Sequence, residues 1–254
     1  MSETIIIPAR YGSSRYRGKP LVKILGREMV LRVADICKKI VGKKNLYIAT
    51  DSKLITNVVQ KAGYRTIITS KRCLTGTDRV AEASKKINSK IIINVQGDEP
   101  TINPNDIRKI IKAKKKYPNH VICGYDKIHK LENPTNLNLP KIVFNSSNEL
   151  IYISRALIPG KKNKLDKVNY YKQVCIYAFN KYQLKRFVSK SKKSLVEKME
   201  DIEILRFFDY GIKIKMIRLN SNSVAVDEIS DVKKAEKILK KKKIECLKSL
   251  RIKK

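Results

Sequence analysis

The first hundred residues alternate between short apolar runs rich in β-branched residues and longer segments with helical periodicity. The predicted strands are residues 4–7, 45–49, 64–69 and 90–95, and the predicted helices between them are 28–40, 53–62 and 78–87. This order is typical of an α/β fold with a mostly parallel sheet and helices on both faces. Right-handed crossovers place the loops that follow the strands on one edge, where open α/β sheets bind ligands. We therefore expect the loops after Ile7, Ala49, Thr69 and Val95 to meet.

The second half of the chain has a different pattern. Residues 140–160 (PKIVFNSSNELIYISRALIPG) predict two strands around a Ser-Ser-Asn turn, and a further strand at 173–179 follows a lysine-rich loop. We interpret the region of about 133–190 as a sheet insertion within a single domain of residues 1–254. A helix at about 195–210, a strand at 212–217 and a final helix from Ser230 complete the predicted order.

Composition excludes several classes of protein. The chain has 254 residues, of which 42% are hydrophobic, so it can bury one large core. Its 5 cysteines form no CxxC pair and it has only 2 histidines, which disfavours a disulfide scaffold, a zinc hydrolase or a Ser-His-Asp enzyme. No signal peptide or long apolar segment is visible, so we expect a cytoplasmic protein without membrane insertion.

The formal net charge of +34 keeps open a function of another class, that of a basic nucleic-acid-binding protein. The lysines, however, are spread over the whole chain and cluster only at 112–116 and in the tail 240–254. Neither an RRM-like signature nor a helix-turn-helix pattern is present in the sequence. We interpret the basic clusters as solvated helix ends and expect no specific nucleic-acid partner.

The loop after the first strand, PARYGSSRYRGKPL, resembles a phosphate-binding loop without matching the P-loop consensus. Five residues separate Gly12 from Gly18, and Pro20 stands where the consensus has a hydroxyl residue after the lysine. Proline has no hydroxyl for magnesium, so other residues must hold any metal. The glycine Gly12 lets backbone amides approach an anion. The side chains available to a phosphate in this loop are Arg10, Ser13, Ser14, Arg15 and Lys19.

Two further loops supply candidate ligand groups. The segment TGTDRVAEA offers backbone and hydroxyl groups of Thr75, Gly76 and Thr77 to a nucleobase edge and places Arg79 in the first helical turn. The fourth strand ends in VQGDEP, which carries Asp98. A carboxylate at the carboxyl end of a strand, opposite a basic loop, is a suitable magnesium ligand.

Taken together, these segments resemble the cytidylyltransferases that make CMP-activated sugar acids, most closely the 3-deoxy-manno-octulosonate (Kdo) cytidylyltransferase family. The resemblance covers nearly the whole chain and implies a Rossmann-like nucleotidyltransferase fold. The segments that carry it are, in order, IIPARYGSSRYRGKPL, ATDS, TGTDRVAEA, NVQGDEP, YISRALIP, IYAF, VEKMEDIEILR and VAVD. The pair Lys19-Pro20 differs from the sialic acid cytidylyltransferases, which typically have asparagine after the lysine.

The resemblance implies transfer of CMP from CTP to the anomeric hydroxyl of a 2-keto-3-deoxy sugar acid, Kdo first of all, with release of pyrophosphate. It also implies a homodimer formed through the inserted sheet region, and catalysis by Lys19, Asp98 and Asp227, with Mg²⁺ on the two aspartates. The residues expected to bind CTP are Arg10, Ser13, Arg15, Lys19, Thr75, Gly76, Thr77 and Arg79. Those expected to bind the sugar are Gln96, Arg155, Gln173, Tyr177, Glu197, Glu200 and Glu203.

The chain departs from the family pattern at the sugar end. It has Gln173 where the family typically has histidine, and Ile204 where the family typically has glutamine. The segment ENPTNLNLPKIV is also longer than its usual counterpart. We therefore expect sugar choice to follow these two positions, and an 8-amino-Kdo-like acid or a nonulosonic acid stays open as the substrate.

Overall fold

The computed structural model describes residues 2–12, 16–129, 132–163, 168–221 and 223–251, with side chains up to residue 241. The strands are β1 Glu3–Ala9, β2 Lys23–Ile24, β3 Arg27–Glu28, β4 Leu46–Thr50, β5 Arg65–Ile68, β6 Ile91–Val95, β7 Val121–Lys127, β8 Lys141–Phe144, β9 Leu150–Ser154, β10 Tyr171–Phe179 and β11 Ile214–Arg218. The α-helices are α1 Met29–Val41, α2 Lys53–Lys61, α3 Gly76–Ser84, α4 Pro104–Lys116, α5 Lys181–Phe187, α6 Leu195–Glu200 and α7 Ile229–Arg251. Three 3₁₀ helices are Lys19–Leu21, Lys43–Asn45 and Glu203–Tyr210.

The main sheet is mixed and mostly parallel, as the sequence predicts. Its strand order is β11-β7-β10-β6-β1-β4-β5. Strands β6, β1, β4 and β5 run parallel to one another, and β11 runs parallel to β7. Strand β10 is antiparallel to both of its neighbours. The carboxyl ends of β1, β4, β5 and β6 therefore share one edge, which is the predicted ligand edge.

The helices cover both faces of this sheet because successive side chains of a strand point to opposite faces. Ile5 and Ile7 of β1 pack into one apolar cluster, together with α1, α2 and α4. Ile6 packs into a second cluster, together with α3 and α5. All three isoleucines are fully buried. The continuous apolar run at the start of the chain is thus explained by a strand with helices on both sides.

The structure corrects the predicted sheet insertion. Strand β10 falls within the predicted insertion of about 133–190, yet it lies in the main sheet between β6 and β7. Strand β7, which the sequence analysis did not predict, is its other neighbour. What extends beyond the main sheet is the hairpin of β8 and β9, joined to β10 where Lys141 pairs with Lys172. A strand that pairs with elements remote in sequence leaves no local signal of that pairing.

The predicted helix at 195–210 is also corrected, because the chain divides there into two short helices. α6 ends at Glu200, and Asp201 adopts a left-handed conformation with φ 50° and ψ 46°. Ile202 is then extended and buried, and a 3₁₀ helix follows from Glu203 to Tyr210. Burying Ile202 in the core requires a turn that a continuous helix does not allow.

The last helix, α7, is anchored near its start. Val226 and Ala235 are buried against Ile24 and Met29, and Val232 packs on the same cluster. Lys240 and Lys241 follow Leu239, the last residue of this cluster among the described side chains. Among the helices of the described ranges, none is long and apolar enough to cross a membrane.

Deleting the residues after Lys243 should leave the melting temperature and the enzymatic activity close to those of the full chain. The reason is that the apolar residues that anchor α7 among the described side chains, Val232, Ala235 and Leu239, precede the deletion. Nucleic-acid binding, measured by fluorescence anisotropy against salt, should be weak in the full chain and lost at moderate ionic strength. A sequence-selective complex that survives physiological salt would contradict the interpretation of the tail as a solvated helix end.

Candidate active site

A cavity of about 670 Å³ opens at the edge of the sheet where β1, β5 and β6 end. The residues that these strand ends and the following loops contribute to its lining are Pro8, Ala9, Arg10, Lys19, Pro20, Cys73, Leu74, Thr75, Gly76, Arg79, Gln96, Gly97 and Asp98. The loop after β4 joins the site through Asp51, whose carboxylate pairs with Arg79 at 3.0 Å. The expected meeting of the four loops is therefore confirmed.

Two glycines allow these loops to come close together. A Cβ at Gly97 would lie 3.0 Å from the carbonyl oxygen of Pro8, and a Cβ at Gly76 would lie 3.2 Å from the amide group of Gln96. Larger residues at these positions would force the loops apart. The site therefore depends on glycine at the end of the third loop and near the start of the fourth.

The first loop is closed by a backbone hydrogen bond from the N–H of Gly18 to the carbonyl of Tyr11, at 2.9 Å. Gly18 has φ 73° and caps the short 3₁₀ helix that carries Lys19 and Pro20. This conformation favours glycine, and a proline in the first turn needs no hydrogen-bond partner for its nitrogen. The local sequence thus directs Lys19 into the cavity. The predicted CTP contacts Ser13 and Arg15 lie outside the described residues.

Lys19 lies between the two predicted metal ligands. Its Nζ donates to Asp98 Oδ2 at 2.7 Å and to Asp227 Oδ1 at 3.2 Å. Burial alone would lower the pKa of the Lys19 ammonium, but the charges and hydrogen bonds of the two aspartates outweigh burial and raise that pKa above its ordinary value. Lys19 is therefore a cation in this site. The three residues assigned to catalysis from the sequence are in direct contact.

Hydrogen bonds to the loop after β6 hold the segment that carries Asp227. The N–H of Val226 donates to the carbonyl of Asp98 at 2.9 Å, and the N–H of Val224 donates to Thr101 Oγ1 at 3.0 Å. Asp98 and Asp227 are 129 positions apart in the chain, yet these contacts place them on the same ammonium group.

The two aspartates are a chemically suitable pair for magnesium. Mg²⁺ usually takes one or two protein carboxylates and completes its octahedron with water and substrate phosphates. Asp98 and Asp227 present two carboxylates to one cation, the Lys19 ammonium, at the cavity surface. Within the described ranges, no group of three or more His, Cys, Asp or Glu side chains is arranged as a metal site. The residues present therefore fit an ion that the nucleotide helps to bind.

The start of α3 forms another part of the cavity. Thr75 caps the helix, and a capping box joins its hydroxyl and backbone to Asp78. The Arg79 guanidinium is buried and donates to Thr69 Oγ1 at 2.5 Å and to Asp51 at 3.0 Å. These contacts fix the Arg79 side chain, which lines the cavity as predicted. Thr75 and Gly76 also line it.

Thr77, by contrast, is turned into the protein. Its side chain is buried next to Asn94, and its backbone N–H donates to Glu203 Oε2 at 2.9 Å. A helix start leaves its first N–H groups without helical partners, and this carboxylate satisfies one of them. Thr77 thus connects α3 to Glu203 and is not part of the cavity lining, among the residues that the structure describes.

Gln96 and Glu203, both predicted to contact the sugar, form a connected pair on the cavity. Gln96 Nε2 donates to Glu203 Oε1 at 3.2 Å. Burial raises the pKa of the Glu203 carboxyl, although hydrogen bonds from Thr77 and Thr75 oppose that shift. Arg155 also lines the cavity. These three residues are therefore available to a ligand.

The other predicted sugar contacts are not among the residues that line the cavity in the described structure. Gln173 and Tyr177 are buried in the main sheet, where Gln173 Nε2 donates to the Tyr177 hydroxyl at 3.0 Å. Ile204 is buried in the second apolar cluster. The alternation of β10 and the start of the 3₁₀ helix direct these side chains into the core. A role of residues 173 and 204 in sugar choice stays a prediction.

Glu197 and Glu200 are engaged in structural contacts. Glu197 is fully buried and accepts two hydrogen bonds from Arg206, at 2.6 and 2.7 Å. Glu200 accepts hydrogen bonds from the Ser154 hydroxyl at 2.7 Å and from the Arg155 N–H at 2.8 Å. Both carboxylates therefore organise α6 and the end of β9. Neither belongs to the cavity lining in the described part of the chain.

Several residues of the cavity were not predicted from the sequence, and four of them are remote in the chain from the strand-end loops. They are Leu137, Asn138, Lys193 and Asp201. The first two belong to the segment ENPTNLNLPKIV, whose unusual length was a usable signal. Lys193 lies in a lysine-rich run and Asp201 within a predicted helix, and nothing in the local sequence distinguishes them.

Known proteins match this chain over most of its length. The family model for cytidylyltransferases matches residues 4–214. The 8-amino-3,8-dideoxy-manno-octulosonate cytidylyltransferase of Shewanella oneidensis is 34% identical over 245 residues, which cover 94% of this chain and 99% of the relative. The enzyme of the same name from Shewanella baltica shows the same identity and coverage.

Solved structures agree with these matches. A structure of CMP-2-keto-3-deoxy-manno-octonic acid synthetase in complex with CTP has a TM-score of 0.88 and 32% identity, and the match covers 95% of this chain and 100% of the other. An inositol-1-phosphate CTP transferase from T. maritima has a TM-score of 0.67 at 18% identity, which shows a shared fold only. These matches displace the alternative of a basic nucleic-acid-binding protein, and the chain belongs to the cytidylyltransferase family.

Proposed function

We propose that this protein transfers CMP from CTP to the anomeric hydroxyl of a 2-keto-3-deoxy-octulosonic acid of the Kdo type and releases pyrophosphate. The observation that carries this proposal is the cluster of Lys19, Asp98 and Asp227 in one cavity, between loops that suit a nucleotide and the pair Gln96 and Glu203. The relative from Shewanella oneidensis is named a cytidylyltransferase for 8-amino-3,8-dideoxy-manno-octulosonate, and the similar solved structure of a CMP-2-keto-3-deoxy-manno-octonic acid synthetase contains CTP.

In this proposal the basic residues of the first loop bind the triphosphate. Arg10 and Lys19 line the cavity and provide positive charge where the β- and γ-phosphates leave together. The Lys19 ammonium, now shared by two aspartates, would turn to the phosphates as the nucleotide enters. Such preorganised charge stabilises a phosphoryl-transfer transition state through positioning and electrostatics.

Asp98 and Asp227 would hold Mg²⁺ in the same proposal. The ion would supply a Lewis acid that withdraws charge from the α-phosphate and favours ionisation of the attacking hydroxyl. The two carboxylates are held close together by backbone contacts. The N–H of Val226, next to Asp227, donates to the carbonyl of Asp98, and the N–H of Val224 donates to Thr101 Oγ1. Glu203 would accept hydrogen bonds from sugar hydroxyls beside the reacting carbon, and Gln96 would donate to such hydroxyls through its amide NH2 or accept from them through its amide oxygen.

A pyrophosphate-release assay tests the function. Purified protein with Mg²⁺ should release pyrophosphate when given CTP together with Kdo or its 8-amino analogue, and should form the CMP-sugar in equal amount by mass spectrometry. Reactions without sugar control for simple hydrolysis, and reactions with ATP, GTP or UTP measure nucleotide choice. No release with any 2-keto-3-deoxy acid would overturn the proposal.

We also expect a homodimer that uses the region 140–179. Ile151 is exposed on β9 and Leu157 on the loop that follows, which leaves apolar surface near the β8–β9 hairpin. Paired hairpins would remove this surface from water. Light scattering at micromolar concentration should therefore report twice the 29.2 kDa chain mass, and Ile151→Lys should shift the protein toward monomer. A wild-type monomer would contradict the expectation.

A further inference from the structure

One wall of the cavity contains none of the residues that the proposal above assigns to the nucleotide or to magnesium. It consists of Leu137, Asn138, Lys193 and Asp201, and we call these four residues the distal wall. They come from the loop before β8, the loop before α6 and the end of α6. Three separate segments therefore converge on one side of the ligand cavity.

Arg155 holds these segments together through backbone carbonyls. Its Nε donates to the carbonyl of Glu200 at 2.7 Å, its Nη1 to Leu137 at 2.9 Å and its Nη2 to Asp201 at 3.1 Å. The buried Lys141 adds hydrogen bonds to the carbonyls of Asn136, at 3.0 Å, and of Arg155. The distal wall is thus built on fixed backbone, and the charged side chains that it presents are Lys193 and Asp201.

These two side chains form an ion pair that a ligand can open at little cost. Lys193 Nζ lies 2.7 Å from Asp201 Oδ1, and the side chains are 30% and 73% exposed. An exposed pair of this kind contributes little to stability. Asp201 occupies the left-handed position that ends α6, where glycine or asparagine is more usual. An acidic residue there places a carboxylate at the cavity edge.

Building on the proposed function, we propose that Asp201 recognises the terminal carbon of the sugar acid and favours an amino group there over a hydroxyl. The anomeric carbon must lie beside Lys19, Asp98 and Asp227, so the far end of the sugar extends away from them. A terminal ammonium group on the sugar has the same charge as the Lys193 ammonium and can take its place beside the Asp201 carboxylate. It would form a charge-assisted hydrogen bond there. A hydroxyl offers Asp201 a weaker partner than the lysine it already has.

The test compares kcat/KM for two sugar acids, the 8-amino-3,8-dideoxy compound and its 8-hydroxy counterpart, with saturating CTP and Mg²⁺. The wild-type protein should prefer the amino sugar. Asp201→Asn keeps the shape and tolerates the left-handed backbone, and it should lower kcat/KM for the amino sugar about 10-fold while changing the hydroxy sugar less than about threefold. Lys193→Met removes the competing cation and should raise kcat/KM for the amino sugar.

Glu3→Gln is the matched control, since Glu3 forms a similar ion pair with Lys115 at 3.0 Å but lies at the amino end of β1, on the edge opposite this cavity. It should leave both values unchanged. A wild-type preference for the hydroxy sugar, or an equal loss for both sugars in Asp201→Asn, would overturn the inference. Normal melting temperatures show that the variants are folded. Failure of the wild-type protein to use either sugar would instead overturn the proposed function, and the inference with it.

Discussion

Replacing Asp98 or Asp227 by asparagine should reduce turnover by about 10²–10³-fold, comparable to the loss of one electrostatic partner of a transition state. Both carboxylates contact the Lys19 ammonium, and both are expected to bind one magnesium ion. Removing either ligand disables the same ion, so the double variant should lose little more than the single ones. The measurement is a magnesium titration of pyrophosphate release for each variant.

Two comparisons make this prediction specific. Asp209→Asn removes an exposed carboxylate outside the cavity lining of the described residues and should keep wild-type turnover. Near-normal activity at low magnesium in Asp98→Asn or Asp227→Asn would identify that residue as a structural aspartate. The neighbouring buried Glu99 would then be the next carboxylate to replace.

Arg206→Met should destabilise the protein by about 3–5 kcal/mol, measured by urea unfolding. The Arg206 guanidinium is buried and donates to Glu197 at 2.6 and 2.7 Å and to Asp78 at 2.7 and 3.1 Å. Its loss leaves the fully buried Glu197 charge without compensation. Because Asp78 also belongs to the cap of α3, the change should loosen the helix start that carries Gly76.

A second substitution identifies the cause of the loss. Glu197→Gln removes the buried charge that Arg206→Met leaves unpaired, and it keeps an oxygen that accepts the capping hydrogen bond from the Ser194 N–H. The double variant Glu197→Gln/Arg206→Met should therefore be more stable than Arg206→Met alone. Arg108→Met, at an exposed position of α4, is the matched control and should change stability by less than about 0.5 kcal/mol. A double variant as unstable as the sum of the single losses would show that the Glu197 charge is not what Arg206 compensates.

The family and half of the site could be predicted because they depend on local patterns. Apolar runs of β-branched residues define β1, β4, β5 and β6, and the handedness of their crossovers brings the loops together. Loop residues such as Lys19 and Asp98 follow directly from this rule. Neither residue is specific alone, since a carboxylate after a strand can belong to an ordinary turn, and the two became informative as parts of several motifs in the order of one family.

The sugar side could not be predicted in the same way. Glu197 was expected to meet the sugar, but its partner Arg206 lies on the far side of a break in the helix. Gln173 follows the alternation of β10, whose position in the main sheet depends on pairing with the unpredicted strand β7. Burial of each side chain here is decided by elements remote in the chain, and residue type alone does not report it.

The sequence by itself determined the order of strands and helices on the nucleotide side, the loops that bear Lys19 and Asp98, and the membership of the family. Only the tertiary structure decided that Lys19 bridges Asp98 to Asp227, and that Asp201 reaches the cavity while Glu197 is buried. The physical reason is that backbone preference and hydrophobic periodicity act over a few residues. Side-chain partners, in contrast, are set by packing between segments that the fold brings together, such as Asp78 and Arg206, 128 positions apart.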